Sequence, residues 1–247
     1  MSDISPRHPR AESLRIRKRL VEGFRKGIVV PEGLAAHGRG EAFDYILGER
    51  TSRHARRAID AATAMLLLAE RPMISVNGNV AALVSGEVVR LAKTVGAVIE
   101  VNIFHGSAGR EAAIARLLRA NGAERVLGVD RRFSTRIREV HSDRRTVDRR
   151  GIAVADVVLV PLEDGDRAKA LKRLGKRVIA IDLNPMSRTA QAADVTIVDN
   201  IVRAMPLMLK AVKRLSKSPR STLVRLRDFD NEANLDATFK LMLERLG

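Results

Sequence analysis

The sequence predicts an α/β fold: a Rossmann-like, mainly parallel sheet with helices on both faces and an N-terminal helical segment. Three observations carry this. From Pro72 onward, short runs rich in Val and Ile alternate with helix-period stretches. The runs are apolar almost throughout, as strands covered on both faces must be. Before Pro72 the patterning is helical. Residues 1–70 are therefore expected to be a helical segment and residues 71–247 a Rossmann-like nucleotide-binding core, the two together one compact domain.

The elements follow in order. Residues 13–27 read as an amphipathic helix, with Leu14, Val21 and Phe24 at near-helical spacing and Gly27 at its end. Thr51 or Ser52 caps an Ala-rich helix that runs to Ala69. Apolar runs at 73–76, 97–104, 125–129, 155–160, 177–181 and 196–198 are the expected strands. Helices are expected at 85–95, 111–120, 166–174, 201–215 and 235–246.

Composition narrows the chemistry. Apolar residues make up 45% of the 247, enough for a sizeable core, and aromatic residues only 3%, so the core must be aliphatic. The absence of cysteine excludes disulfides, thiolate metal sites and cysteine nucleophiles. The polar N-terminus and the lack of a long apolar stretch lead us to expect a cytoplasmic protein with no membrane partner. The net charge of +16 admits nucleic acid, an anionic surface or phosphate-bearing metabolites as partners. Arginine is concentrated at 7–26 and again at 130–150, where Asp-Arg-Arg occurs three times. Scarce aromatic side chains weigh against base stacking, so no nucleic-acid partner is expected. Gly-x4-Gly-Lys-Ser/Thr, strand-borne Gly-x-Gly-x-x-Gly and His-Glu-x-x-His are all absent.

In open parallel sheets, ligands bind beyond the carboxyl ends of the strands. Polar residues follow four of the apolar runs. Asn77-Gly78-Asn79 offers amides and a close backbone approach, or else a turn with Asn79 as a helix cap. Glu163, Asp164 and Asp166 surround Gly165 and could hold a divalent cation, or cap the next helix. Asp182-Leu183-Asn184 places an acid where ribose hydroxyls are bound, and Arg188 beyond it suits a phosphate oxygen. Asp199-Asn200 repeats the theme. A further loop is expected at 37–44, His-Gly-Arg-Gly-Glu-Ala-Phe-Asp, where two glycines flank the guanidinium of Arg39 and form a tight, phosphate-friendly turn. There Phe43 and Tyr45 would pack a following short helix, while His37 and Glu41 are the catalytic candidates.

These stretches, with His8-Pro9-Arg10, Gly48-Glu49-Arg50-Thr51 and the run from Val198 to Ala204, resemble archaeal phosphopantothenate synthetase, also called 4-phosphopantoate–β-alanine ligase. The match covers most of the chain in order. The resemblance implies a homodimer that uses ATP and Mg2+ to join 4-phosphopantoate to β-alanine, releasing AMP and diphosphate, on the archaeal route to coenzyme A. It implies ATP contacts at Arg17, Arg39, Asp182, Leu183, Asn184, Arg188, Thr189, Asn200 and Ile201. AMP formation would imply an acyl-adenylate, with Arg17, Arg39 and Arg188 offsetting the charge of the reacting anions. His37, Asn77, Asn79 and nearby glycine amides are then candidates for the 4-phosphate. Residues 106–150 depart from the family pattern in being richer in arginine.

Overall fold

The computed structural model describes residues 4–5 and 7–246. Three helices come first: α1 (Ala11–Arg25), α2 (Pro31–Leu47) and α3 (Arg53–Leu68). The core then alternates β1 (Pro72–Val76), α4 (Gly78–Val95), β2 (Val98–Val101), α5 (Ala108–Ala120) and β3 (Val126–Leu127). A small antiparallel hairpin follows, β4 (Ser134–Arg136) with β5 (Thr146–Asp148). The main alternation resumes with β6 (Val157–Pro161), α6 (Gly165–Arg173), β7 (Arg177–Ile181), α7 (Arg188–Ala192) and β8 (Val195–Ile197). Helices α8 (Ile201–Leu215), α9 (Arg220–Arg227) and α10 (Asn231–Glu244) complete the order.

The six long-range strands form one parallel sheet in the order β3-β2-β1-β6-β7-β8. Setting the hairpin aside, this is the doubly wound order, and the chain reverses direction across the sheet between β1 and β6. Side chains alternate across the sheet as the pleat requires. Ile74, Val76, Ile99, Leu159, Ile179 and Ile197 pack on one face, against α3, α4 and α8. Met73, Val158, Val160, Val178 and Ala180 pack on the other, with α6 and the hairpin side chains Ile137 and Val147. Each such aliphatic side chain contributes about 2 kcal/mol when fully buried. Ile16, Leu20, Ala58 and Met65 belong to the first of these cores, so the first 70 residues pack as part of it.

Two expectations are corrected. Residues 37–44 are not a loop but the middle of α2. Pro31 starts that helix, the left-handed Gly48 (φ 78°) ends it, and Gly38 and Gly40 are carried inside it. Helix interiors tolerate glycine at a cost near 1 kcal/mol, and contacts made by Phe43, Asp44 and Leu47 outweigh it. Phe43 packs as expected, whereas Tyr45 is exposed and meets Arg10. The second correction concerns α1. Its buried stripe is Ile16, Leu20 and Gly23, while Phe24 is 45% exposed. Both sets fit a 3.6-residue period, and only the close approach to α4 at Gly23 decides between them.

The hairpin covers a polar part of the sheet. Glu100 on β2 is fully buried, and its two oxygens accept the main-chain N–H groups of Asp148 (3.0 Å) and Ile152 (2.7 Å). Burial pushes this carboxyl up to about 7, against the lowering effect of those two N–H donors. A carboxyl raised in the folded state favours folding below its unfolded value, and that contribution is lost as pH rises through the folded value. Glu100 should therefore make stability fall between about pH 4.5 and 7. Denaturant melts of wild type and Glu100→Gln across this range should show the wild-type trend flattened in the variant; parallel pH profiles would contradict it.

Candidate active site

The carboxyl ends of β1, β6, β7 and β8 open onto one cleft of about 770 Å³. Its central feature is Asn77, at the end of β1 and 8% exposed. The side-chain oxygen accepts the N–H of Val80 (3.0 Å) and so caps α4. The side-chain nitrogen donates to the carbonyls of Pro161 (3.2 Å) and Leu162 (2.9 Å) at the end of β6. One amide thus starts a helix and ties together the two strands where the sheet reverses. Asn79 is not the cap; its nitrogen donates to the Gly33 carbonyl at 2.8 Å and holds α2 over α4.

At the end of β6, Glu163 lies between Arg144 and Arg167, and each arginine bonds a different carboxylate oxygen. Arg167 is fully buried and also donates to Ser75 at 3.1 Å. Asp164 sits 3.1 Å from the Arg144 Nε without hydrogen-bond alignment, and burial pushes its carboxyl up. Asp166 is 75% exposed, is not among the residues lining the cleft and pairs loosely with Arg188 at 3.8 Å. Among the described residues, no group of three or more His, Cys, Asp or Glu side chains could enclose a metal ion. With both Glu163 oxygens on arginines, the set fits an all-protein cation cage poorly. Asp164 is the one acid of the three facing the cleft without two arginines on it. Gly165 is required here because a Cβ would lie 2.3 Å from the Arg188 Cβ, so α6 and α7 begin side by side.

At the end of β7, Asp182 accepts the Asn184 N–H (2.9 Å) and the Ser187 hydroxyl (2.5 Å). Burial raises its carboxyl, opposed by those two donors and by the charge of Arg39 across the cleft. Thr189 donates to the Glu163 carbonyl at 2.8 Å. At the end of β8, Asp199 accepts from Thr51 (2.6 Å), Asn200 N–H (2.8 Å) and Arg203 (2.9 Å). The Asn200 side chain donates to Asp44 at 2.9 Å, and Arg203 also binds Asp44. This network fixes α2 against the start of α8. Helix α2 in turn presents His37, Arg39, Gly40 and Phe43 to the cleft.

Most of the residues expected at the site line this cleft: His37, Arg39, Asn77, Gly78, Asn79, Glu163, Asp164, Asp182, Leu183, Asn184, Arg188, Thr189, Asn200 and Ile201. Arg17, Glu41 and Asp166 do not. Arg17 forms a two-pronged pair with Glu41, at 3.0 and 2.5 Å, beside the cleft. Burial pushes the Glu41 carboxyl up, but the Arg17 bonds and charge outweigh it and hold the group below its usual value. Burial lowers His37, whose Nε2 is enclosed without a hydrogen-bond partner, so the ring is neutral near pH 7. The sequence reading missed Arg110 and Arg144, which also line the cleft. Arg110 stands in the first turn of α5, nine residues past the end of β2, too far along for the strand-end rule to mark it.

Residues 54–245 match the family described as phosphopantothenate/pantothenate synthetase. The chain is similar to the 4-phosphopantoate–β-alanine ligase of Thermococcus onnurineus (strain NA1), 49% identical over all of this chain and 94% of that protein. The ligases of the same name from Thermococcus kodakarensis and Methanosarcina mazei are 48% and 49% identical over all of this chain, covering 94% and 96% of their own lengths.

The Asn77 geometry separates its two roles. Asp suits a helix cap as well as Asn does, but at this position its second oxygen would face the carbonyls of Pro161 and Leu162. Asn77→Asp should lower stability by about 3 kcal/mol, and by more than Asn77→Ala, in urea melts. A neutral or stabilising Asn77→Asp would show that only the cap matters.

Proposed function

The chain belongs to the phosphopantothenate/pantothenate synthetase family, and on that premise we propose that it is an ATP-dependent ligase. It joins the carboxylate of 4-phosphopantoate to the amine of β-alanine, giving 4'-phosphopantothenate, AMP and diphosphate for coenzyme A synthesis. The observation that carries this reading is the cleft at the sheet's reversal point, which gathers polar groups from four strand ends and Arg39 from α2. A cytoplasmic location and a homodimeric state go with the reading on the family resemblance. Among the described residues, no helix is long and apolar enough to cross a membrane.

The chemistry needs two anions to meet. A carboxylate oxygen attacks the α-phosphorus of ATP, the bond to the β-phosphate oxygen breaks, and diphosphate leaves. The β-alanine nitrogen then attacks the acyl carbon and expels AMP, while the nitrogen gives up a proton. Nucleotide contacts are assigned to Asp182, Leu183, Asn184, Arg188, Thr189, Asn200 and Ile201, around the ends of β7 and β8. Arg39, which lines the cleft and whose charge acts on Asp182, offsets charge on the α-phosphate. Arg17 would join the nucleotide only by exchanging Glu41 for a phosphate oxygen. His37 is neutral at working pH, but its Nε2 is enclosed, so the ring would have to turn before it could accept the amine proton. Positioning and charge stabilisation supply the rest. Mg2+ would arrive with the ATP phosphates and neutralise part of their charge. Asp164, which lines the cleft, is the acid that would meet it.

Incubation with ATP, 4-phosphopantoate and β-alanine should yield AMP and the amide in equal amounts. ADP in place of AMP would indicate a kinase and overturn the reading. A folded Arg39→Ala variant should lose roughly 100-fold or more in kcat, the usual effect of removing one transition-state donor; wild-type turnover would remove that role. If His37 is the base, the acid limb of kcat/KM should lie below pH 6.5, its ordinary value, because burial lowers the ring.

A further inference from the structure

We propose that Asn102 is a positioning residue for the ligase reaction: it holds the turn that carries Arg144 into the cleft. This rests on the ligase reading above and adds to it a residue outside the cleft. Asn102 directly follows β2, is 4% exposed and is not among the residues lining the cleft. It acts at one remove, through the main chain around Arg144.

The main-chain N–H of Asn102 donates to the Val76 carbonyl at 3.0 Å, which carries the β1–β2 pairing one residue further. The side chain therefore stands on the same face as Glu100, two residues earlier, under the hairpin. The two residues divide the work. Glu100 accepts main-chain N–H groups of the hairpin segment, at Asp148 and Ile152. Asn102 donates to its carbonyls: the side-chain nitrogen meets those of Arg144 (3.3 Å) and Thr146 (2.9 Å). The carbonyl between them, Arg145, faces the other way and accepts the Ile137 N–H at 2.8 Å. The chain at Arg144 is thus held from both sides.

Asn77 does the same on the neighbouring strand. Val76 pairs with Val101, so Asn77 and Asn102 each stand one step past a paired residue. Each amide spans two carbonyls of a crossing segment. One segment delivers Glu163 and the other Arg144, and these two side chains bond each other at the cleft. Little else orders the turn locally. It is three residues long, Asp143–Arg145, closed by one bond from the Arg145 N–H to the Ser142 carbonyl at 2.9 Å, and the Ser142 side chain makes no capping bond. Yet Arg144 is 6% exposed, and its Nε lies 3.1 Å from Asp164. A shift of the turn would draw the guanidinium away from both acids at the end of β6 and change the charge in that part of the cleft. The Oδ1 of Asn102 is enclosed without a hydrogen-bond partner. Only the donor end of the amide is used, so the two N–H bonds are what asparagine supplies here.

The test is a double-mutant cycle on ligation of 4-phosphopantoate and β-alanine with ATP, at a temperature where every variant is folded by circular dichroism. Asn102→Ala should lower kcat/KM roughly 10- to 100-fold, the scale of a small displacement at a reacting centre, and Arg144→Ala at least as much. The double variant should lie within about 3-fold of Arg144→Ala alone, because Asn102 has nothing left to position. Single losses that multiply in the double variant would overturn the proposal, since a general defect adds to the loss of Arg144 where a positioning role is masked by it. Full turnover by Arg144→Ala would overturn it as well. Asn102→Asp, equal in size but without the N–H pair, should lose activity too; wild-type kinetics there would show that the donor bonds do not matter. If Asn102→Ala does not fold, Asn102→Ser, which keeps one donor, takes its place. If wild type ligates nothing, the ligase reading fails, and the same cycle in urea melts still tests the tie: the shifts in midpoint should not sum in the double variant, and shifts that sum would overturn it.

Discussion

Asn77 carries the constraint on which the cleft depends. In a doubly wound sheet the two central strands send their connections in opposite directions, leaving a gap at their carboxyl ends. Here β1 and β6 are those strands. Three hydrogen bonds from one buried side chain hold the gap at a set width while starting α4. The end of β6 then places Glu163, the start of α4 places Gly78, and Asn79 draws α2 over both. Without that tie, the strand ends could be present and yet not converge.

A second layer of order comes from buried charge. On the face of the sheet covered by the hairpin, Ser75, Glu100, Glu163 and Arg167 are all enclosed. Removing one partner of the Glu163–Arg167 pair leaves an uncompensated buried charge and costs about 3–5 kcal/mol. The hairpin is therefore more than a cover. Its main chain satisfies Glu100, and the turn before β5 delivers Arg144 to Glu163. On the opposite side of the cleft, Asp44, Asp199, Asn200 and Arg203 do similar work for α2. Two networks of charge, one at each end, hold the walls while the aliphatic core holds the sheet.

Much of this was legible in the residues. Apolar runs of Val and Ile marked the strands to within a few residues, because strands buried on both faces leave little polar patterning to mislead. The polar groups after them, Asn77, Asp182 and Asn200, lie in the cleft because strand direction alone puts them there. What failed was local. Gly38 and Gly40 suggested a turn, yet tertiary contacts of α2 outweigh their weak helix propensity. The buried stripe of α1 was ambiguous because two sets of apolar residues share the same period. Arg144 lay within an arginine-rich stretch where charge gives no direction. Its partners are distant in sequence, and only the packed hairpin shows which arginine turns inward. Arg17 and Glu41, both expected at the site, pair with each other beside it.

The central claim is spatial as well as chemical: one cleft, divided at Asn77, with the nucleotide on the β7–β8 side. Diffraction from crystals grown with a non-hydrolysable ATP analogue and 4-phosphopantoate tests it most directly. The adenosine should lie against Asp182, Asn184 and Asn200, with the acid's carboxylate near the α-phosphate above Asn77. An adenosine seated on the β2 side, or a nucleotide bound outside the cleft, would contradict the account.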